Sequence, residues 1–444
     1  MKEYRLVSLD RFDGENLNST VYFLSHMHSD HTVGLDQDAF FERLERSGNS
    51  YLYCSTITRI LLLGNEEKYG RLTPYVKPLE VFCPTTIDIP AACDQDQNST
   101  VLVTLFPAEH CLGSVMFLFE GQEDNVLYTG DFRWGNSEAT HIPYLNPSAK
   151  PLRSMYVDTT FCCPKAFHIP SREQCEAGVI SLVSSHFQKY GPDAYIWIES
   201  RTNFGYEMLL KELSLHMKMK IHVDHWKKVL YDQISGLEDI FTENAEETRI
   251  HAHPENKYKR FVKNGLPCGF VLPNNSGNLI RIKPSTMWFT TLPEIVNIVT
   301  QNGPSRYRAC YSFHSSYAEI RDLVQYLKPA RVFPNVIPTS KTFDEIQDAL
   351  NSFLLNPHYK HFSSIESEEQ PLGIMKITKS SVQDSASFGD CVFDETQSQS
   401  VGLKAGAGLD NNVPAHVGHG VTDDSHESLL GLLFISLSKM LHTK

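Results

Sequence analysis

The sequence predicts an α/β protein, strand-rich at first and alternating between strands and helices later. Up to about residue 160, β-branched and aromatic runs bounded by turn residues read as strands: VYFL (21–24), TVLVTLF (100–106), VMFLF (115–119), NVLYTG (125–130) and SMYVD (154–158). Between the first two, LDQDAFFERLERSG has helical spacing and stops at Gly48. From Ser171 the pattern changes: SREQCEAGVISLVSSHFQKY (171–190) opens with a Ser-x-x-Gln cap and runs as a long amphipathic helix. DAYIWIES then reads as a strand and NFGYEMLLKELSLHM as a helix. The same alternation returns in YRACYSFHSS (strand), YAEIRDLVQYLKP (helix), ARVFPNVIP (strand) and TFDEIQDALNSFL (helix). Such alternation is the mark of a parallel sheet covered by helices.

Composition narrows the class. With 444 residues the chain is long enough for two or three domains, and 41% hydrophobic with 21% charged residues is the balance of a globular protein. No apolar run is long enough to span a bilayer, so no membrane association is expected. The N-terminal MKEYRLVSLDRFDGE lacks the apolar core of a secretory signal, and the ten cysteines accordingly read as reduced thiols or metal ligands. A formal charge of −13 argues against wholesale coating of nucleic acid, while leaving room for a local basic groove. From residue 356 onward the chain is polar and Gly/Ser-rich, with 6 Lys/Arg against 11 Asp/Glu, and reads as a disordered acidic tail over 356–444. Its apolar end, SLLGLLFISLSKML, reads either as a partner-binding helix or as an end unrelated to the fold.

The densest chemistry lies in FLSHMHSDHTVGL, where His26, His28, Asp30 and His31 follow a strand directly. Two histidines two residues apart in extended chain present both rings to one side. Asp30 and His31, after a turn, face a second point nearby. Imidazole with carboxylate suits zinc or a similar ion. Three later ligand-type residues also stand at strand exits: His110 in FPAEHCLGS, Asp131 in LYTGDFR and Asp158 in YVDTTF. Irregular backbone at strand ends is where sites gather.

HxHxDH, a histidine after a strand, and TGD together resemble the metallo-β-lactamase family, whose fold is an αββα sandwich. DTTF at 158–161 followed by a large α/β stretch resembles the β-CASP branch of that superfamily. LDRFDGEN, PSREQC, IKPSTMWF, SYAEI and FPNVIP are similar to one subfamily of DNA nucleases in its cross-link-repair group, whereas HMHSDHTVGL is closer to a sister subfamily. The match runs over roughly residues 4–355. It implies a first part of the sandwich at 1–158, an inserted α/β β-CASP domain at 159–300 and a return segment at 301–355. Two departures stand in EHCLGS, where Glu109 and Leu112 replace the small residue and proline usual in the group.

The resemblance assigns roles. His26, His28, His110 and Asp131 would hold a first zinc; Asp30 and His31, with Asp131 bridging, would hold a second and weaker ion, zinc, magnesium or manganese. Asp10 would buttress the metal loop, and Asp158 with His314 would face the leaving group or the second ion. Bound ions activate water and clamp the oxygens of a phosphodiester, and a histidine held by a carboxylate can protonate the departing oxygen. Within the insertion, His222, His251, His253 and Cys268 would form a structural zinc site, with His253 where the group has a cysteine.

The function this implies is a metal-dependent DNA nuclease, a 5′–3′ exonuclease and a structure-selective endonuclease on overhangs and hairpins. It would be nuclear, a monomer, and at work in repair of double-strand breaks by non-homologous end joining. The implied partners are single-stranded, overhang or hairpin DNA ends, a DNA-dependent protein kinase and a DNA ligase. Basic candidates for a DNA path are 217–220 (MKMK), 226–228 (WKK), 255–265 and Arg201. The alternative is an RNA-processing β-CASP endonuclease. Val336 bears on that choice, because RNA-type relatives resemble one another in a metal-ligating histidine there, and valine ligates nothing. A small-molecule hydrolase would leave the insertion unexplained, and a scaffold would leave the ligand set unexplained.

Overall fold

A computed structural model describes residues 1–354 except 93–96, 122–123, 136–137, 149, 256–264, 274–277, 291–296 and 339–340, and in addition the two-residue strand at 375–376. The acidic tail and its apolar end otherwise lie outside the described residues, as does most of the basic run 255–265.

Strands β1 (Val7–Leu9), β2 (Val21–Phe23), β3 (Tyr51–Ser55) and β4 (Val76–Leu79) pair in that order, all parallel. Helix α1 (Asp38–Ser47) ends at Gly48, whose φ of 66° is the left-handed turn that glycine adopts freely. Helix α2 (Thr56–Leu63) starts at Ser55, whose hydroxyl accepts from the Thr58 N–H at 3.0 Å, and α3 (Glu66–Tyr69) follows. The second sheet holds β5 (Thr85–Ile89), β6 (Ser99–Pro107), β7 (Val115–Glu120) and β8 (Asn125–Tyr128), antiparallel in sequence, with β9 (Ser154–Val157) parallel to β8.

Alternation along these strands separates the layers. Val21 and Phe23 face Val103, Leu105, Phe117 and Phe119, making the core between the two sheets. Tyr22 and Leu24 point the other way, onto Phe40, Phe41 and Leu44 of α1.

The insertion begins with α4 (Arg172–Tyr190). Its capping box is complete: Ser171 Oγ accepts from the Gln174 N–H at 3.3 Å, and the Gln174 side chain accepts from the Ser171 N–H at 2.9 Å. Then come β10 (Tyr195–Glu199), α5 (Glu207–Met217), β11 (Ile221–His222), α6 (His225–Tyr231), β12 (Phe241–Thr242), β13 (Ile250–His253), β14 (Leu279–Pro284), α7 (Thr286–Thr290), β15 (Val299–Gly303) and β16 (Arg306–Ala309). They form a seven-stranded sheet in the order β12-β11-β13-β10-β14-β16-β15, parallel except for β15. Val179 and Val183 of α4 and Leu209, Leu210 and Leu213 of α5 pack on Ile196, Ile198 and Ile250. The sheet therefore runs past residue 300, because β16 pairs with β14 from Arg306 to Ala309.

The chain returns through α8 (Tyr317–Leu327), β17 (Arg331–Pro334), β18 (Val336–Ile337) and α9 (Phe343–Phe353), with β19 (Met375–Lys376) pairing with β18. β17 adds to the second sheet beside β9. Ile320, Leu323, Val324, Ile346 and Leu350 cover the outer face of that sheet at Phe106, Met116, Leu118 and Met155, completing an αββα sandwich. Two expected strands are shorter than the sequence suggests. YRACYSFHSS is strand only to Ala309; beyond it the backbone bonds to loops instead, the Ser315 N–H donating to the Phe132 carbonyl at 2.8 Å. ARVFPNVIP breaks at Asn335, whose side-chain amide donates to the Tyr156 carbonyl at 3.3 Å.

Candidate metal centre

Five strand exits converge on one point. His26, His28, Asp30 and His31 follow β2, His110 follows β6, Asp131 follows β8, Asp158 follows β9 and His314 follows β16. Close backbone approach makes this possible. Gly130, at φ 53°, has Ser25 Cβ 2.9 Å from where its own Cβ would stand, so the TGD turn lies against the HxHxDH loop.

Each histidine of the cluster has one ring nitrogen engaged behind the site. His110 Nδ1 donates to the Phe313 carbonyl at 3.0 Å, and His28 Nε2 donates to the Phe204 carbonyl at 3.0 Å. His31 Nδ1 donates to Asp10 Oδ2 at 2.9 Å. Ser25 Oγ donates to Asp10 Oδ2 at 2.7 Å, which leaves its oxygen to accept from His26 Nδ1 at 2.9 Å. Each partner fixes a tautomer, so the other nitrogen presents a lone pair inward. His28 Nδ1 and His110 Nε2 face one another at 2.8 Å, and His26 Nε2, His31 Nε2 and Asp131 Oδ1 have no hydrogen-bond partner though fully buried. Opposed lone pairs and orphaned buried acceptors are what a bound cation resolves. The residues fit a metal.

The electrostatics agree. Burial, reinforced by the neighbouring imidazoles, holds His26 and His110 well below the ordinary imidazole pKa, so both are neutral and able to ligate. Burial opposes charge on His31 too, but Asp131, Asp30 and Asp10 outweigh it and raise its pKa well above the usual value, so His31 Nε2 would present its lone pair only where a cation takes the place of its proton. Burial also raises the pKa of Asp131, against the pull of His31. At Asp158 burial is outweighed by His314 and by bonds from Thr160 N (2.9 Å) and Oγ1 (2.7 Å), and the carboxylate pKa falls. His314 Nδ1 lies 2.8 Å from Asp158 Oδ2, which raises its pKa in spite of burial.

Of the residues anticipated here, the structure brings His26, His28, His110, His31, Asp131 and His314 together. Ligand atoms lie within 4.8 Å of one another in His26/His31/Asp131 and in His110/Asp131/His314. Asp131 Oδ2 stands 3.2 Å from His31 Nε2, 3.7 Å from His110 Nε2 and 3.9 Å from His26 Nε2. Asp30 is at the rim, its side chain 43% exposed and 3.8 Å from His31 Nε2. Asp10 and Asp158 stand behind His31 and His314. Asp10 adopts φ 55° and accepts from Ser25 N, Ser25 Oγ, His31 Nδ1 and Tyr128 Oη. Val336 is buried, and its carbonyl accepts from the Thr159 hydroxyl next to Asp158.

Sequence reasoning passed over several contributors. Ser25, Tyr128, Phe204 and Phe313 give no signal of their own, since each acts through a hydroxyl or a carbonyl. Arg172 donates to the His110 carbonyl (2.8 Å) and the Ser312 carbonyl (3.0 Å) from the first turn of α4. Cys111 joins His26, His28 and His110 in a set whose ligand atoms are all within 4.8 Å; its adjacency to His110 was the available clue.

The insertion carries the second cluster. His222 Nδ1 lies 3.0 Å from both His251 Nδ1 and His253 Nε2, with Cys268 Sγ 3.9 Å from His251 Nδ1, and all four ligand atoms fall within 4.8 Å. Pairing of β13 with β11 sets His251 beside His222, and the i, i+2 spacing along β13 brings His253 to the same face. Burial works against a thiolate at Cys268, but the surrounding imidazoles outweigh it and pull its pKa down to about 4. The basic candidates are less available than their sequence implied. Lys227 is buried, Lys228 pairs with Asp232, and Arg201 pairs with Glu199 at 3.4 Å.

An αββα sandwich with a His/Asp cluster at its strand exits defines a protein of the metallo-β-lactamase class. The model of the family "DNA repair metallo-beta-lactamase" matches residues 235–340. Protein artemis of Danio rerio is 39% identical over 456 residues, covering 100% of this chain and 69% of that protein. Protein artemis of Mus musculus is 40% identical over 402 residues, covering 89% of this chain and 55% of that protein. The 5′ exonuclease Apollo of Mus musculus is 31% identical over 346 residues, 78% of this chain and 56% of that protein. The chain belongs to the artemis family of DNA repair metallo-β-lactamases. It spans little more than half the length of the mammalian artemis proteins it matches.

Proposed function

We propose that the chain is a metal-dependent nuclease that trims DNA ends, as a 5′–3′ exonuclease and as an endonuclease at overhangs and hairpins. The observation that carries this reading is the cluster of tautomer-fixed histidines with orphaned Asp131, in a chain 39–40% identical to artemis proteins. His26, His28, His110 and Asp131 are the proposed holders of a first zinc. Asp30, His31 and Asp131 are proposed for a second ion, zinc, magnesium or manganese, bound more weakly because Asp30 stands at the exposed rim. Such ions, when bound, supply an activated water and charge neutralisation at the phosphodiester.

The chain's own groups then have definite tasks. Asp10 holds His31 with its lone pair inward. Asp158 accepts from His314 Nδ1 at 2.8 Å and favours its protonated form, from which a proton can pass to the departing oxygen. His222, His251, His253 and Cys268 are proposed to hold a structural zinc that ties β11 and β13 to the loop at Cys268. Valine at 336 supplies no ligand, which favours DNA over the RNA alternative. Similarity to artemis proteins motivates the wider proposals: a nuclear enzyme of non-homologous end joining, monomeric, with a DNA-dependent protein kinase and a DNA ligase as partners. Co-purification of neither from nuclear extract would remove that last assignment.

The direct test uses the purified chain with labelled single-stranded, overhang, hairpin and matched RNA substrates, with and without chelator. Chelator-sensitive cleavage of DNA well ahead of RNA is expected. RNA cut faster than DNA, or cleavage indifferent to chelator, would overturn the proposal.

A further inference from the structure

Helix α6 exposes two large apolar side chains. Trp226 is 43% exposed and Val229, one turn further along the same face, is 47% exposed, while Leu230 and Tyr231 turn into the core. Trp226 is held in place from behind. Its ring meets that of Phe204 nearly at a right angle, with centroids 6.1 Å apart. The buried Lys227 carries its ammonium over one face of the indole, 5.4 Å from the ring centre. Phe204 links this spot to the metal loop, because its carbonyl accepts from His28 Nε2 at 3.0 Å and from Thr202 Oγ1 at 2.8 Å. Arg201, on the same loop, keeps its side chain 44% exposed. Around it three cations, Arg201, Arg281 and Lys283, share two carboxylates, Glu199 and Glu255, so this end of the sheet carries net positive charge.

We infer that Trp226 is a stacking platform for an unpaired nucleobase next to the phosphodiester at the metal centre. The inference rests on the nuclease reading and deepens it by naming a residue that selects the strand. In a duplex both faces of a base are covered by its neighbours; in an overhang or at a hairpin tip a base can be splayed out and lie on an aromatic ring. An exposed indole supplies the plane, and cations beside it suit the phosphates on either side of the base. The same positive charge favours an anionic strand over an apolar protein segment as the occupant. Every base has a π-face, so the platform reads whether a nucleotide is unpaired and not which base it carries. Stacking of this kind is made equally before and during bond cleavage, so it belongs to binding: its loss raises KM and leaves kcat in place.

The test is steady-state cleavage of labelled single-stranded DNA by the full chain, comparing an oligonucleotide that carries all its bases with ones in which a single abasic site is stepped through the positions flanking the cut. For the native chain, loss of the base at one flanking position should raise KM about 10-fold with kcat little changed. Trp226→Leu keeps apolar cover over Phe204 but has no ring. It should raise KM about 10-fold on the complete oligonucleotide and be indifferent to the abasic site, whereas Trp226→Phe should keep most of the native KM. Equal KM values for native and Trp226→Leu would overturn the platform and leave Trp226 and Val229 as a protein contact. A fall in kcat in Trp226→Leu that is the same on complete and abasic substrates would also overturn it, since that marks a packing support for Phe204. No chelator-sensitive cleavage of any DNA by the native chain would instead overturn the nuclease reading, and the platform with it.

Discussion

At His31 the choice of tautomer is made by Asp10. This carboxylate accepts four hydrogen bonds, from Ser25 N, Ser25 Oγ, His31 Nδ1 and Tyr128 Oη. Asn at this position would turn one acceptor into a donor and set it against a hydroxyl or the ring nitrogen. Asp10→Asn is expected to lower cleavage by about 10–100-fold and to loosen the second ion, the usual scale for an outer partner of a metal ligand; a kcat/KM equal to the native value would remove its positioning role. Asp158 and His314 form the other buried pair. Asp158 titrates below its ordinary range, so its contribution to stability is present above the unfolded carboxylate pKa of about 4 and is lost as pH falls through its folded value. His314 titrates above its ordinary range, so its contribution is complete below the unfolded imidazole pKa of about 6.5 and is lost as pH rises through its folded value. In chelated protein, the stability difference between native and Asp158→Asn should be largest between about pH 4 and 6.5. A difference in Tm that is flat from pH 4 to 9 would contradict the pair. HxHxDH, His110, Asp131 and Asp158 were legible in the sequence because histidine and aspartate after apolar runs are rare company. Asp10 and His314 could be named only through family resemblance, since a lone Asp or His near a strand has many ordinary uses. Phe204 and Phe313 were not legible at all, for a carbonyl carries no side-chain signature.

Among the elements, the loop after β10 connects the insertion to the metal loop. Phe204 supplies the carbonyl for His28, and Glu207 at the start of α5 steadies the loop by accepting from the Gly205 N–H at 2.6 Å and from Tyr231 Oη at 2.8 Å. Gly205 sits at φ 128°, and a Cβ there would lie 2.7 Å from the ring of Phe313, the residue whose carbonyl orients His110. Gly205→Ala is therefore expected to displace the supports of two metal-facing histidines together. A fall in kcat/KM of about 10–100-fold with the fold retained by circular dichroism is predicted, on the scale that a misplacement of about 1 Å produces. Full activity in that variant would show that the loop is not a support. At the second cluster, removing the metal should lower Tm, because binding to a site absent from the unfolded chain adds to folding free energy. His251→Ala should reproduce the share of that loss that belongs to this ion and so lose less on chelation than the native chain; equal Tm values for native and variant protein would exclude a structural ion. Helix boundaries were readable from caps such as Ser171–Gln174 and from Gly48. The ends of β16 and β17 were not: FHSS keeps strand-like composition while its backbone bonds to neighbouring loops, and NVIP breaks from β17 at Asn335 before resuming as the short strand β18.

For the molecule as a whole, the two-sheet core carries the architecture and the strand exits carry the chemistry. Phe117, fully buried, packs among Phe23 and Phe119 in the core between the sheets. Phe117→Ala should cost about 3–5 kcal/mol of stability by denaturant unfolding, and a cost below about 1 kcal/mol would mean the core closes around the gap. The α/β class followed from strand-like runs and strand–helix alternation, whereas the αββα layering came from family resemblance alone, and the first sheet's β3 and β4 and the strand order of the insertion depended on pairings no local pattern reports. The central claim is that Asp131, with His26, His28 and His110, holds the ion on which DNA cleavage depends. It is tested most directly by measuring bound metal and cleavage of labelled overhang and hairpin DNA in parallel for the native chain and Asp131→Asn, each freed of contaminating nuclease. The account predicts that the variant keeps the native circular dichroism and the insertion-site zinc and loses at least about 100-fold in cleavage. Undiminished cleavage by Asp131→Asn would contradict it.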